Sequence, residues 1–267
     1  GFVLLLGTLY TIFILGWGLN YARQPLSESM KLNVTAYSKE ELADVCEKLA
    51  KKTNETRKAV KEDADGRFTL STARDFVQKD ITNVYSKHAP DYTNSGAQSQ
   101  IKGIKTKNLL SSTKTTGIYV PFTFEPNVNM QMPDLYFAAC CAHEYAHLQG
   151  FAREDEANFI AWYVLMQSDN ADYAYSANAL ALNYCLKALN NVSPEDFNRI
   201  ANTLDQGVLR DYALEKEFWA QFETDFSNNT DKIYDNYLNA NGVQDGSRSY
   251  GRMVDLIIAL NLAGQYD

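Results

Sequence analysis

The first twenty residues of the chain are almost entirely apolar. The stretch GFVLLLGTLYTIFILGWGLN contains no charged side chain, and Arg23 is the first charged residue of the sequence. About twenty apolar residues in a helix are enough to cross the hydrocarbon core of a bilayer. Trp17 and Tyr21 resemble the aromatic collar of membrane helices. The pattern predicts a transmembrane helix over residues 1–22 and a linker over residues 23–37; a buried core helix is the alternative.

The rest of the chain, residues 38–267, favours helices with an apolar period of 3.6 residues. Ser38, with Glu41 three residues later, forms a capping box in front of a helix that is predicted to extend to about Asp63. Apolar periodicity, with Pro and Gly at the boundaries, predicts further helices near residues 72–88, 133–149, 154–168, 172–190, 194–203, 207–226, 229–239 and 248–263.

Strand patterns are confined to a short part of the sequence. Ile101–Ile104 is a weak candidate, and Thr116–Phe124 is the clearest one because it combines β-branched and aromatic residues. Pro121 within it suits an edge strand. We therefore expect an α+β fold that is mostly helical, with one small sheet, in a single domain over residues 38–267.

Composition and charge limit the possible partners. Apolar residues make up 45% of the chain and its formal net charge is −8. Binding to nucleic acid is not expected, because a basic phosphate-binding surface is missing from this balance. No C-x-x-C pair occurs, so a thiolate zinc knuckle is unsupported. We expect buried free thiols, with a Cys46–Cys185 disulfide as an open alternative.

The sequence His143-Glu144-Tyr145-Ala146-His147 has the form H-E-x-x-H. On a helix, residues four apart point the same way, so both imidazoles can bind one metal ion. Glu144 lies about 100° away, where a carboxylate acts as a general base and not as a ligand. The competing interpretation is an exposed helix with polar residues four apart, but the apolar residues before His143 favour a buried helix.

A third ligand is needed for a catalytic zinc site, and it must come from outside the motif. The metzincin pattern would place a histidine at position 153, where this chain has Arg153, and His88 is far upstream. Glu154, Asp155 and Glu156 offer carboxylates. We expect Glu154 to be the ligand, because the small Ala157 and Ala161 on its side allow a close approach between helices. A charged first turn of a surface helix is the alternative for the whole triplet.

Together these segments resemble the zincin superfamily, in particular gluzincin-type sequences with H-E-x-x-H followed by a glutamate on the next helix. TGIYVPFTFEPNVN, HEYAHLQGFAREDEANF and SYGRMVDLIIA more closely resemble an uncharacterised domain-of-unknown-function family of bacterial membrane-anchored zincin-like proteins. The resemblance implies zinc ligands His143, His147 and Glu154, with Glu144 as the base, and a catalytic domain outside the cytoplasm. Asn158 stands where many peptidase relatives have Asp.

The sequence therefore predicts a zinc-dependent hydrolase anchored in the cell membrane, with a peptide or protein as substrate. In zincins an edge strand above the metal helix holds an extended peptide, and Thr116–Phe124 is the candidate here. The first alternative is a membrane-anchored sensor or scaffold that uses zinc without catalysis. The second is a hydrolase of cell-wall or small-molecule amides.

Overall fold

The computed structural model describes residues 1–94, 96–97, 99–224 and 252–266. Within them the chain is mostly helical and has one three-stranded sheet, as expected from the sequence. The strands are β1 (Lys102–Ile104), β2 (Gly117–Val120) and β3 (Glu125–Asn129). The α-helices are α1 (Phe2–Gly16), α2 (Leu26–Ser29), α3 (Lys39–Arg57), α4 (Arg74–His88), α5 (Phe137–Leu148), α6 (Glu154–Leu165), α7 (Ala171–Val192), α8 (Pro194–Ala201), α9 (Gln206–Ala220) and α10 (Arg252–Leu262).

Most predicted helices are present, with differences at their ends. The capping box at the start of α3 is confirmed: the Glu41 backbone donates to Ser38 Oγ, and the Ser38 backbone donates to the Glu41 carboxylate. α3 ends at Arg57 and not at Asp63, since the Asp63 carboxylate instead accepts backbone N–H groups in the turn that follows. The helix predicted over 229–239 lies outside the described residues.

The sheet corrects the prediction of one strand over Thr116–Phe124. The chain leaves β2 at Val120, turns, and returns as β3, with Phe124 in the left-handed region at φ 54°. β3 has the sequence EPNVN. Its polar residues and its proline are not typical of a strand, so the sequence pattern did not predict it. The strand order is β1-β3-β2, with β3 parallel to β1 and antiparallel to β2, so β2 is an edge strand.

The N-terminal helix is shorter than predicted. α1 ends at Gly16, and a 3₁₀ turn follows at Gly18–Ala22, where the prediction continued the helix. Among the residues that the structure describes, no helix is long and apolar enough to cross a membrane. The transmembrane helix predicted for residues 1–22 is therefore not supported.

The stretch predicted as a linker is packed against the helical domain. The backbone N–H of Leu26 donates to the Glu156 carboxylate at 2.7 Å, and the Leu26 side chain is buried. The Arg23 guanidinium donates to the Gln149 carbonyl at 3.0 Å and lies 4.5 Å from the centre of the Phe151 ring. These contacts fix the N-terminal segment beside the C-terminal end of α5.

Helix α5 lies at the centre of the fold. It contacts α4, α6 and α7 on its helical sides and both β2 and β3 on the sheet side. Every residue from Phe137 to Leu148 is buried except His143, which is half-buried. Alanines and cysteines let the neighbouring elements approach this closely, and all four cysteines of the chain are buried free thiols.

A buried ion pair joins α3 to α9. Arg57 Nε donates to the Asp211 carboxylate at 2.6 Å, and both side chains are almost fully buried. Asp211 also accepts from the Tyr175 hydroxyl at 2.6 Å and from the Phe68 backbone at 2.7 Å. One carboxylate therefore holds α3, α7, α9 and the loop after α3 together.

Replacing Asp211 with alanine should destabilise the whole domain. The substitution leaves the Arg57 guanidinium and two hydrogen-bond donors without their buried acceptor, which costs about 3–5 kcal/mol in the free energy of unfolding. Urea denaturation followed by circular dichroism measures the change. The matched control is Asp169→Ala, which removes the exposed ion pair with Lys87 and should leave the transition midpoint unchanged. Equal effects of both substitutions would contradict this role of Asp211.

Candidate metal centre

The candidate ligands come from two consecutive helices, α5 and α6. His143 and His147 lie one turn apart on α5, and Glu154 is the first residue of α6. Gly150, at φ 89°, allows the sharp turn between the helices in a conformation that favours glycine. α5 and α6 then pack against each other, and the small residues Ala157 and Ala161 of α6 are both buried.

Three side chains converge at this point. The His143 Nε2 and His147 Nε2 atoms are 3.0 Å apart. Glu154 places one carboxylate oxygen 3.1 Å from His143 Nε2 and the other 3.6 Å from His147 Nε2. The three ligand atoms all lie within 4.8 Å of one another. His143, His147 and Glu154 thus form a group that could hold a metal ion, and the choice of Glu154 among the three carboxylates agrees with this geometry.

A hydrogen bond on the side of the His147 ring that faces away from Glu154 determines which ring nitrogen can bind a metal ion. His147 Nδ1 lies 2.6 Å from the Phe151 carbonyl oxygen. Since a carbonyl only accepts, Nδ1 carries a proton, and the neutral ring presents the Nε2 lone pair to its neighbours. Burial opposes the charged imidazolium, but the nearby Glu154 carboxylate outweighs it and raises the pKa of His147 to about 9. The site is therefore built to stabilise a positive charge at Nε2.

The carboxylate of Glu144 lies beside this group without belonging to it. Burial raises the pKa of Glu144 to about 7, in spite of the two histidines. Its Oε2 atom is buried and has no hydrogen-bond partner among the described residues. Gly117 of β2 is packed against it so closely that a Cβ at this position would overlap the Glu144 carboxylate. A side chain at position 117 would therefore displace either β2 or the Glu144 carboxylate.

The other acidic residues of the triplet have different partners. Glu156 accepts from the Leu26 backbone and so points away from the imidazoles. Asn158, one turn after Glu154, is buried and lines the same cavity. Asn158 Nδ2 and His143 Nδ1 have no partner among the described residues. Buried polar atoms of this kind are normally satisfied, so their presence fits a site that takes up polar groups.

His143, His147 and Glu154, the candidate ligands, lie at the floor of a cleft of about 920 Å³. One wall is aromatic and includes residues that sequence analysis did not assign to the site. Trp17 lies 5.7 Å from His147 and 4.6 Å from Tyr119, measured between ring centres. The apolar pattern had placed Trp17 at a membrane interface, and its position here depends on the packing of the N-terminal segment.

The opposite wall comes from α7 and α9. Asn183, Tyr184 and Lys187 line the cleft from α7, and Trp219 lines it from α9. The Trp219 indole donates to the buried Glu215 carboxylate at 2.9 Å, and burial raises the pKa of Glu215 to about 7. These residues form no recognisable motif, so sequence analysis could not have selected them.

Comparison with known proteins identifies the family. The family model described as "Protein of unknown function (DUF3810)" matches residues 1–258. The chain belongs to this family. No curated protein and no solved structure matches the chain.

Glu154 should contribute to metal affinity far more than Glu156 does. In Glu154→Gln, a neutral amide replaces the carboxylate between the two imidazoles, so affinity for added Zn²⁺ should fall by more than the roughly 10–100-fold typical of losing an outer hydrogen bond. The control, Glu156→Gln, keeps an oxygen acceptor for Leu26 and should bind like the wild type. Isothermal titration calorimetry measures both, and a larger loss in Glu156→Gln would reverse the assignment.

Glu215 should make stability depend on pH. Burial raises its pKa in the folded state to about 7 from the usual value of 4.5, so the folded protein binds this proton more tightly than the unfolded chain does. Stability from this group is therefore present below pH 4.5 and is lost as pH rises to about 7, by on the order of 3 kcal/mol. Glu215→Gln should lack this part of the decline in urea denaturation between pH 4.5 and 7. If the free energy of unfolding falls equally with pH in the variant and the wild type, Glu215 is not the cause of the decline.

Proposed function

We propose that this protein is a zinc-dependent hydrolase that cleaves peptide bonds. The observation that supports it is the placement of a fourth side chain, Glu144, beside the group formed by His143, His147 and Glu154. A site that only holds a metal needs ligands; a hydrolytic site also needs a base next to them.

The donor set fits zinc. Two imidazole nitrogens and one carboxylate are the ligands of many catalytic zinc sites, which keep a further position open to the substrate or water. Zinc held here would supply a Lewis acid that polarises a carbonyl group and lowers the pKa of a water molecule. The Phe151 carbonyl keeps the His147 ring in the tautomer that this requires.

Glu144 would act as the general base. A base works best when its pKa is near the working pH, and burial raises the pKa of Glu144 to about 7. Its free Oε2 atom can accept a proton from the attacking water and pass it to the leaving amine. Gly117 leaves the room that this carboxylate needs.

The edge strand supports a peptide as the substrate. β2 pairs with β3 on one side, and Gly117, Ile118 and Tyr119 of β2 also line the cleft. An extended peptide can add to such an edge through backbone hydrogen bonds, with alternate side chains directed into the cleft. The resemblance to gluzincin-type zincins agrees with this substrate class, as an analogy between sequences.

The same proposal includes attachment to a membrane through α1, with the catalytic domain outside the cytoplasm. The helix contains no charged residue and none of its residues is buried. The extracytoplasmic location is proposed from the family resemblance alone.

A zinc-binding sensor or scaffold without catalysis is the alternative. It would use the same three ligands, but it gives no reason for a buried carboxylate with an unpartnered oxygen next to them. Burying such a group costs free energy, which a purely structural site could avoid with an apolar residue.

Glu144→Gln should separate the two functions. The protein, purified in the presence of zinc, should contain about one zinc per chain by elemental analysis, and so should the variant, since Glu144 is not a ligand. Turnover of casein or of a peptide library should fall by about 10²–10⁴-fold, the usual contribution of a general base.

The matched control is Glu195→Gln, an exposed carboxylate in the first turn of α8. It should keep both zinc and full turnover. Zinc without turnover of casein, peptides or small amides by the wild type favours the scaffold; unchanged turnover in Glu144→Gln rejects the base, and absence of zinc rejects the metallohydrolase.

A further inference from the structure

The first part of helix α1 is apolar and exposed on every side. Phe2, Val3, Leu4, Leu5 and Leu6 are consecutive and all exposed, and consecutive residues of a helix point about 100° apart. A protein partner covers one stripe of a helix, whereas an all-round apolar surface is typical of a helix surrounded by lipid or by a protein core.

The two threonine hydroxyl groups of α1 are satisfied within the helix itself. The hydroxyl groups of Thr8 and Thr11 donate to the carbonyls of Leu4 and Gly7, one turn earlier, at 2.9 and 2.8 Å. This leaves no threonine donor directed outwards, which suits surroundings that offer no hydrogen-bond acceptor.

The turn between β2 and β3 continues this apolar surface. Phe122 in the turn lies 6.2 Å from Phe13 of α1, measured between ring centres. Phe124, on the same turn, packs against Gly16, where a Cβ would come within 3.1 Å of its ring. Phe122 and Phe124 nevertheless remain 51% and 45% exposed. We call Ile118, Phe122 and Phe124 the hairpin tip; all three are exposed, and the two phenylalanines lie next to the end of α1.

The positive charge of the sequence around the hairpin tip favours binding to an anionic surface. Residues 92–124 contain four lysines and no acidic residue, although the chain as a whole has a net charge of −8. Lys102 and Lys105 pair with Glu125 and Asp75. Among the described residues, Lys107 and Lys114 have no such partner, and Lys114 lies at the cleft.

We propose that the hairpin tip and α1 form one lipid-binding surface, with an anionic bilayer as its occupant, and that the cleft opens onto it. Aromatic residues and lysines together favour the interface of such a bilayer. A second copy of the chain or a protein partner would leave part of the all-round apolar helix in water.

Residues of the hairpin tip also show where the cleft opens. Ile118 and Phe122 are exposed and also line the cleft, whereas Glu144, His147 and Glu154 lie buried at its floor. The mouth is therefore framed on one side by the hairpin tip. This inference rests on the membrane attachment proposed above, and it gives the substrate class as a peptide segment presented at the bilayer surface.

A fluorescent label at the hairpin tip tests the surface directly. Thr123→Cys introduces an exposed thiol between Phe122 and Phe124, and the four native thiols are buried, so a nitrobenzoxadiazole label attaches selectively. On vesicles of phosphatidylcholine and phosphatidylglycerol, its emission should shift to the blue and its quenching by acrylamide should fall severalfold. A label at Lys58→Cys, where α3 ends, should show neither change.

A pair of matched substitutions gives the second measurement. Phe122→Ser should weaken partitioning of the chain onto these vesicles by about tenfold, the order expected when one phenyl ring is withdrawn from an apolar phase. Phe76→Ser on α4 removes a ring of equal exposure, 52%, and should change nothing.

The outcomes separate this inference from the proposed function. A chain that does not sediment with vesicles overturns membrane attachment and this surface together. A chain that sediments while the labels at 123 and 58 are quenched equally overturns the surface alone. Zinc content is measured without vesicles, so its absence rejects the hydrolase and leaves the vesicle result unaffected.

Discussion

The structure depends on the burial of a carboxylate between two imidazoles at the junction of α5 and α6. Charged groups lose their hydration when they are buried, and this cost is offset only by opposite charge and hydrogen bonds nearby. Glu154 raises the pKa of His147, and the pKa of Glu154 is itself held well below its usual range by the histidines in spite of its burial. The group is stable only with a positive charge among its members, which a proton or a metal cation can supply.

This constraint determines what can surround the site. α5 must bring His143 and His147 to Glu154 while packing on all its other sides, and its alanines and cysteines leave room for the neighbouring elements. The edge strand then passes so close to Glu144 that a side chain at position 117 would collide with its carboxylate. The same close packing that buries Glu144 also raises the pKa of its carboxyl group, so the fold and the acidity of this group have one physical origin.

The N-terminal segment belongs to the site as well as to the surface of the molecule. Its 3₁₀ turn places Trp17 against His147 and Tyr119, and α2 is held by Glu156, two residues after a candidate ligand. A change in the position of α1 would therefore move one wall of the cleft. This connection links the apolar exterior to the candidate metal centre through a few direct contacts.

The sequence alone determined the helical character of the chain, the helix that carries His143, Glu144 and His147, and the turn at Gly150, because these depend on local spacing and backbone conformation. It also favoured Glu154, since small residues on one helix face are visible as a pattern. Only the tertiary structure showed which residues form the cleft walls, where strand β3 lies and how residues 17–32 pack. These depend on contacts between residues far apart in the chain, such as Trp17 with His147 and Gly117 with Glu144, which leave no periodic signal in a single sequence.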